Sequence, residues 1–112
     1  MITVAETEQF QRKVRRLLSG DEKMELIAYL SMQPNAGVII QGTGGIRKLR
    51  WARGGRGKSG GVRVIYYFHS PEMPLYLLTL FAKNERTNIT MDEKNILSRA
   101  AKALVGYWRQ KQ

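Results

Sequence analysis

Seven basic side chains lie in a part of the sequence that contains no acid, and their types suit chemistry on phosphate groups. From Leu26 to Pro71 there is no Asp or Glu. The basic residues of that segment are Arg47, Lys48, Arg50, Arg53, Arg56, Lys58 and Arg63. Because no carboxylate in the segment can neutralise them, they present a positive field to a molecule outside the chain. The natural partner of such a field is a polyanion such as nucleic acid.

Arg63 is the most informative of these residues because it interrupts a strongly apolar, strand-forming run. A buried charge costs desolvation unless it meets a counter-charge or opens onto a cleft. Lys83 poses the same question at the end of the next predicted strand. If the two strands pair through their short turn, both cations open onto one side of the sheet, and Lys48 and Arg50 can join them. The alternative is that Arg63 pairs with Glu85 or extends to solvent.

A cluster of this kind could cleave RNA as well as bind it. When the 2′-OH of RNA attacks the neighbouring phosphate, it needs a base, a positive charge for the phosphorane and an acid for the leaving 5′-oxygen. Arginine supplies fixed charge in a bidentate fork, and lysine can transfer protons. The sequence predicts catalytic residues at Arg63, Lys83, Lys48 and Arg50. It predicts RNA-binding residues at Arg47, Arg53, Arg56 and Lys58.

Composition limits the other classes of function. The 112 residues carry a net charge of +10, contain no cysteine and have His69 as the single histidine. We therefore expect no disulfide, no thiolate or histidine metal site, and no cofactor. The first residues lack the features of a signal peptide, and no apolar run approaches the length of a membrane helix, so we expect a cytoplasmic protein without a membrane partner.

The segment from Ala52 to Ser59 matches a loose phosphate-loop pattern, but its context excludes that function. A phosphate loop must open a helix whose N-terminus faces the phosphates. Here the glycine-rich segment continues into the apolar run that begins at Val62, which predicts a strand. The loop is better suited to following a nucleic-acid backbone, because glycines permit close approach.

The elements that position these residues begin with a short strand at Ile2 to Val4 and two helices. From Glu8 to Leu18, apolar residues recur on one helical face. Ser19 and Glu22 form a capping-box pattern that opens the second helix, which Pro34 and the following residues end. A second capping box at Thr90 opens a C-terminal helix, whose apolar stripe is Leu97, Ala101, Leu104 and Trp108.

Three strands are predicted between the helices. They span Arg47 to Ala52, Val62 to His69 and Leu75 to Ala82. In the last strand, alternation puts Tyr76, Leu78 and Leu80 opposite Leu77, Thr79 and Phe81. Short connections favour an antiparallel sheet, with the C-terminal helix covering one face. We expect one α+β domain over residues 1–112.

Three ordered motifs resemble the RelE superfamily of bacterial toxin–antitoxin systems, most closely its HigB-like toxins. They are G-T-G-G-I-R-K-L-R at Gly42 to Arg50, G-K-S-G-G-V-R-V-I-Y-Y-F at Gly57 to Phe68, and F-A-K-N-E at Phe81 to Glu85. Each motif alone is weak, but their order and spacing are fairly specific, and the likeness covers most of the chain.

The resemblance implies a small microbial-RNase-like fold and a metal-free toxin that cleaves mRNA in the A site of the small ribosomal subunit. It implies a neighbouring antitoxin with a helix-turn-helix domain, through which alone the complex would contact operator DNA. By analogy, Arg63 stabilises the transition-state phosphate, and Lys48 or Lys83 handles protons.

The sequence departs from the family pattern at two positions. Asn84 stands where many relatives have a second basic residue, and Thr90 lies near the place of an expected tyrosine. Glu85 and His69 are therefore further candidates for proton transfer. Two other functions stay open: a non-catalytic nucleic-acid-binding module, and a degenerate toxin that acts as an antitoxin-binding corepressor.

Overall fold

The computed structural model describes residues 1–52, 61–86 and 88–111. In chain order the elements are β1 (Val4–Glu6), α1 (Glu8–Leu17), α2 (Gly20–Met32), β2 (Val38–Ile39), β3 (Ile46–Trp51), β4 (Val62–Tyr67), β5 (Leu75–Ala82) and α3 (Met91–Gln110). The α+β prediction with two N-terminal helices and one C-terminal helix is confirmed. The predicted RNA-binding residues Arg53, Arg56 and Lys58 lie outside the described residues.

Side-chain caps fix where the helices begin. The Ser19 hydroxyl accepts from the N–H of Glu22, whose carboxylate accepts from the N–H of Ser19. Thr90 and Glu93 form the same reciprocal pair at the start of α3. Both predicted capping boxes are therefore present. Each satisfies two backbone donors that the first helical turn leaves without intrahelical partners.

The sheet has the strand order β1-β5-β4-β3-β2. Strands β2 to β5 pair antiparallel, as predicted, and the short first strand β1 pairs parallel with β5, so the sheet is mixed rather than antiparallel throughout. The strand also begins at Val4 rather than Ile2. Local alternation cannot reveal the direction of a partner that lies across two helices and three strands. The run after the glycine-rich segment forms β4, as its pattern predicted.

Helices cover both faces of the sheet. One apolar cluster joins α1 and α2 to β4 and β5, and it contains Phe10, Leu26, Val64 and Tyr66. The other joins α3 to the opposite face, and it contains Ile46, Ile65, Leu97 and Ala101. The predicted stripe of α3 is confirmed, with Leu104 and Trp108 packed at its margin.

A bulge between β4 and β5 changes the predicted alternation of β5. The register shifts beside Ile65 and Tyr66, so that Ile65 pairs with Thr79 and Tyr66 pairs with Leu77. The intervening Leu78 is the extra residue. Leu80 consequently joins Leu77 in the first cluster, whereas Leu78 joins the second. A bulge places two residues against one and reverses the side-chain alternation beyond it.

The buried hydroxyl of Tyr66 forms hydrogen bonds that hold the segment between α2 and β2 against the centre of the sheet. It donates to the carbonyl oxygen of Pro34 at 2.8 Å and accepts from the N–H of Gly37 at 2.8 Å. A Cβ at Gly37 would lie 2.9 Å from the Lys48 carbonyl oxygen and from the Tyr66 ring, so a side chain there would meet its neighbours. Within the described residues, no helix is long and apolar enough to cross a membrane.

Candidate nucleic-acid interface

Three cations lie on the α3-facing side of the sheet, where we define the cationic strip as Arg63, Arg50 and Lys48. Arg50 and Arg63 are direct partners in the β3–β4 ladder, and Lys48 pairs with Ile65 one step further along the same face. Directly opposite residues in antiparallel strands have Cβ atoms about 4.5–5.5 Å apart. The sequence-based prediction that these three side chains share one face is therefore confirmed.

Arg63 is buried, with 6% of its surface exposed. Its Nη1 lies 3.4 Å from the carbonyl oxygen of Val62. Burial and then the neighbouring charge of Arg50 lower the pKa of the Arg63 guanidinium from its ordinary value. Arginine nevertheless keeps its charge in proteins, so the lowered pKa expresses first the cost of burying the Arg63 charge and then the cost of placing Arg50 beside it. An anion between the two guanidinium groups would relieve that cost.

Lys83 follows β5 and extends the β4–β5 ladder by one rung. Its N–H donates to the carbonyl oxygen of Gly61 at 3.1 Å. A turn closes behind it, because the Glu85 carboxylate accepts from the N–H of Ala82 at 3.1 Å and from Arg16 at 3.2 Å. Glu85 thus fixes the turn that carries Lys83. The Lys83 side chain is exposed.

The two lysines flank Arg63 along the sheet. Lys83 lies opposite Gly61, two residues before Arg63 on β4, and Lys48 lies opposite Ile65, two residues after it. Two strand residues span about 7 Å. The backbone therefore carries one lysine on each side of the buried arginine.

Arg86 is a further cation on this face, and no pattern in the sequence predicted it there. Its guanidinium carbon lies 4.6 Å from the centroid of the Phe81 ring, and Phe81 is the ladder partner of Arg63. Its Nη1 donates to Glu93 at 2.6 Å. This contact, with the Thr90 capping bonds, lowers the pKa of Glu93 to about 2 against the opposing effect of burial. The stacking depends on the turn at residues 83–86, which local sequence does not specify.

Helix α3 packs on the sheet beside the cationic strip. The residues that it buries on the sheet include Ile40, Ile46 and Tyr67, toward the β2–β3 turn and the β4–β5 turn. The Ser98 hydroxyl also donates to the carbonyl oxygen of Thr43 at 3.0 Å. Arg50 is exposed and Lys48 is partly exposed, so a ligand can reach these two cations beside the helix, whereas Arg63 itself is buried.

Two predicted residues lie elsewhere. Arg47 is on the opposite face, where its Nη1 donates to the carbonyl oxygens of Gly37 at 2.7 Å and Asn35 at 3.2 Å. His69 follows the far end of β4, and its Nδ1 lies 3.4 Å from the Tyr67 hydroxyl. Arg63 to Tyr67 alone spans about 13 Å of strand. Neither Arg47 nor His69 is brought to the cationic strip.

A row of cations on one face of the sheet of a small α+β protein is typical of proteins that bind polyanions. The family model described as RelE toxin of RelE / RelB toxin-antitoxin system matches residues 3–112. The chain therefore belongs to the RelE toxin family, whose members are toxins of toxin–antitoxin systems and generally endoribonucleases that cleave mRNA. Membership also implies an antitoxin partner.

Proposed function

We propose that this protein is a HigB-like toxin that cleaves mRNA in the ribosomal A site without a metal ion and so inhibits translation. The observation that carries the proposal is the Arg50–Arg63 pair. Like charges directly opposite in a sheet are destabilising, so this pair opposes folding. Groups whose pKa is perturbed by burial and by a specific charged neighbour are candidates for function.

Arg63 and Arg50 bind the scissile phosphate in this mechanism. Their guanidinium groups donate to its non-bridging oxygens and stabilise the additional negative charge of the phosphorane. The 2′-OH loses a proton and its oxygen forms a bond to phosphorus. The bond from phosphorus to the 5′-oxygen then breaks, and that oxygen gains a proton. The products are a 2′,3′-cyclic phosphate and a 5′-hydroxyl.

Lys48 and Lys83 handle the two protons. The attacking and leaving oxygens lie roughly in line across phosphorus. A phosphate centred at Arg63 would therefore have its two proton-transfer sites on opposite sides, and the two lysines flank Arg63 along the sheet. Glu85 acts indirectly, by holding the turn that carries Lys83.

The partners follow from family membership and from the charge of the strip. An antitoxin that carries a helix-turn-helix domain holds the toxin inactive, and the complex contacts operator DNA only through that antitoxin. The ribosome delivers the mRNA, so the protein acts in the cytoplasm. Arg53, Arg56 and Lys58 contribute further contacts to the RNA backbone in this proposal.

The experiment that tests the proposal maps mRNA 5′ ends after a short induction of wild type, Arg63→Ala and the control Arg12→Ala. Arg12 lies on α1, across the sheet from the strip, and its side chain is 70% exposed. We expect wild type and Arg12→Ala to cut translated frames and to leave 5′-hydroxyl ends. We expect Arg63→Ala to lose at least about a hundredfold in cleavage, the usual cost of removing a transition-state donor.

Two results would contradict the proposal. Full toxicity of a folded Arg63→Ala variant would exclude the catalytic role of the strip. Absence of cuts with folded wild-type protein would favour a binding module or a degenerate toxin, which a repression assay with the antitoxin would then separate. Lys48→Gln and Lys83→Gln on purified ribosomes test the two proton-transfer roles, because each variant should lose about a hundredfold or more in cleavage rate.

A further inference from the structure

The cationic strip continues onto an exposed aliphatic side chain at the edge of the sheet. Val38 on β2 is the ladder partner of Lys48, so the two side chains share a face. Ile40 confirms the parity, because it lies two residues after Val38 and packs into the cluster beneath α3. Val38 itself is 65% exposed. It therefore lies on the strip's face but beyond the cover of the helix.

The position of Val38 is fixed before any ligand arrives. The preceding residue, Gly37, donates its N–H to Tyr66 and accepts from Arg47 through its carbonyl oxygen. Two residues after Val38 the chain is anchored again, because the N–H of Ile40 donates to the carbonyl oxygen of Ile46 at 2.8 Å. An exposed β-branched side chain held this way loses little entropy when it packs against a ligand.

We propose that Val38, with the aliphatic stem of Lys48, forms a subsite for a nucleobase that flanks the scissile phosphate. This inference deepens the proposed function and rests on it for the identity of the RNA. An RNA chain whose phosphate binds at Arg63 and Arg50 and continues toward Lys48 comes beside Val38, the ladder partner of Lys48. The Val38 Cα lies roughly 12 Å from that of Arg63, two strand spacings across and two residues along.

A base rather than a phosphate fits this place because the subsite is apolar at its outer end. Apolar side chains contact the faces and edges of splayed bases, whereas phosphates contact cations and N–H groups. Lysine can serve both groups at once, since its stem packs while its ammonium reaches a phosphate. The strip thus positions the backbone, and Val38 contacts the base.

The chain offers a matched control one residue away. Ile39 is on the same edge strand and is 57% exposed, but it pairs with Arg47 and so points to the other face. Val38→Ser and Ile39→Ser remove comparable exposed aliphatic groups from one strand. Any general effect on the edge would therefore appear in both variants.

The test measures affinity for a fluorescent 2′-O-methyl oligoribonucleotide, which cannot undergo 2′-OH attack, at several salt concentrations. We expect Val38→Ser to raise Kd about fivefold at every salt concentration, with an unchanged salt slope. Lys48→Gln should instead flatten the slope by about 0.7, the contribution of one phosphate contact on a single strand. Val38→Tyr should lower Kd, because an aromatic ring stacks on bases.

Three outcomes would overturn the subsite: an unchanged Kd for Val38→Ser, an equal rise for Ile39→Ser, or no binding by wild type. Weaker antitoxin binding with unchanged RNA binding would assign Val38 to a protein interface instead. Because the oligonucleotide assay needs neither cleavage nor ribosomes, its result is independent of the cleavage experiment. If the protein binds RNA through Val38 but cleaves no RNA, the subsite is supported and the proposed nuclease activity is excluded.

Discussion

Replacing Tyr66 with phenylalanine tests whether one hydroxyl holds the edge of the sheet in place. The substitution keeps the buried ring and removes only the oxygen, so it creates almost no cavity. The N–H of Gly37 and the carbonyl oxygen of Pro34 then each lose a partner at 2.8 Å. A buried polar group left without a hydrogen bond costs about 1–3 kcal/mol.

The two losses are unequal. The bond to Gly37 is buried, so its N–H bears the full cost, whereas the bond to Pro34 is part-buried and water can partly replace it. We expect Tyr66→Phe to lower the free energy of unfolding by about 2–4 kcal/mol. With an m-value of about 2 kcal/mol per molar urea, the unfolding midpoint should fall by about 1–2 M.

Urea unfolding followed by tryptophan fluorescence measures the effect, and Tyr29→Phe is the matched control. Tyr29 is 41% exposed, so loss of its hydroxyl should change the free energy of unfolding by no more than about 0.5 kcal/mol. If Tyr66→Phe were as stable as this control, the two hydrogen bonds of the Tyr66 hydroxyl would not stabilise the segment between α2 and β2. Other contacts would then have to hold β2 at the edge of the sheet.

Three further substitutions probe the surroundings of the strip. Gly61→Ala would set a Cβ against the carbonyl oxygen of Trp51, so we expect urea unfolding to register a loss of about 1–3 kcal/mol and cleavage to fall. Because the pKa of Glu93 is lowered from 4.5 to about 2, its stabilisation is full above pH 4.5 and is lost toward pH 2. Glu93→Gln should cost up to about 3 kcal/mol at pH 7 and match wild type near pH 2 in denaturant titrations. Arg50→Gln removes the like charge opposite Arg63, so stability should rise by up to about 1 kcal/mol at low salt, less at 1 M salt, while cleavage declines.

The parts of the site that depend on strand periodicity could be predicted from the sequence. Side chains alternate with period two, so the shared face of Lys48 and Arg50 on β3 followed from local pattern alone, whereas the place of Arg63 beside them also depends on the β3–β4 register. The capping boxes were equally local, because the four residues from Ser19 to Glu22 carry the whole signal.

Features that depend on distant contacts could not be predicted in this way. β2 has only two residues, both exposed, and thus no burial pattern. The bulge at Leu78 arises from the match between two strands, and nothing in β5 alone marks it. Arg86 looked like an ordinary surface residue because its position over Phe81 depends on a turn and on the start of α3.

The parallel edge strand sets the order in which the chain can fold. Val4 pairs with Leu75, 71 positions later, and the Thr7 hydroxyl reaches the carbonyl oxygens of Leu77 and Leu78. Closing a loop of that length costs roughly 4 kcal/mol of chain entropy, so this edge should form late, after the local β3–β4–β5 pairings have reduced the distance. During synthesis β1 stays unpaired with β5 until β5 has left the ribosome. The nascent chain therefore cannot complete its sheet while it is still being extended toward Leu75.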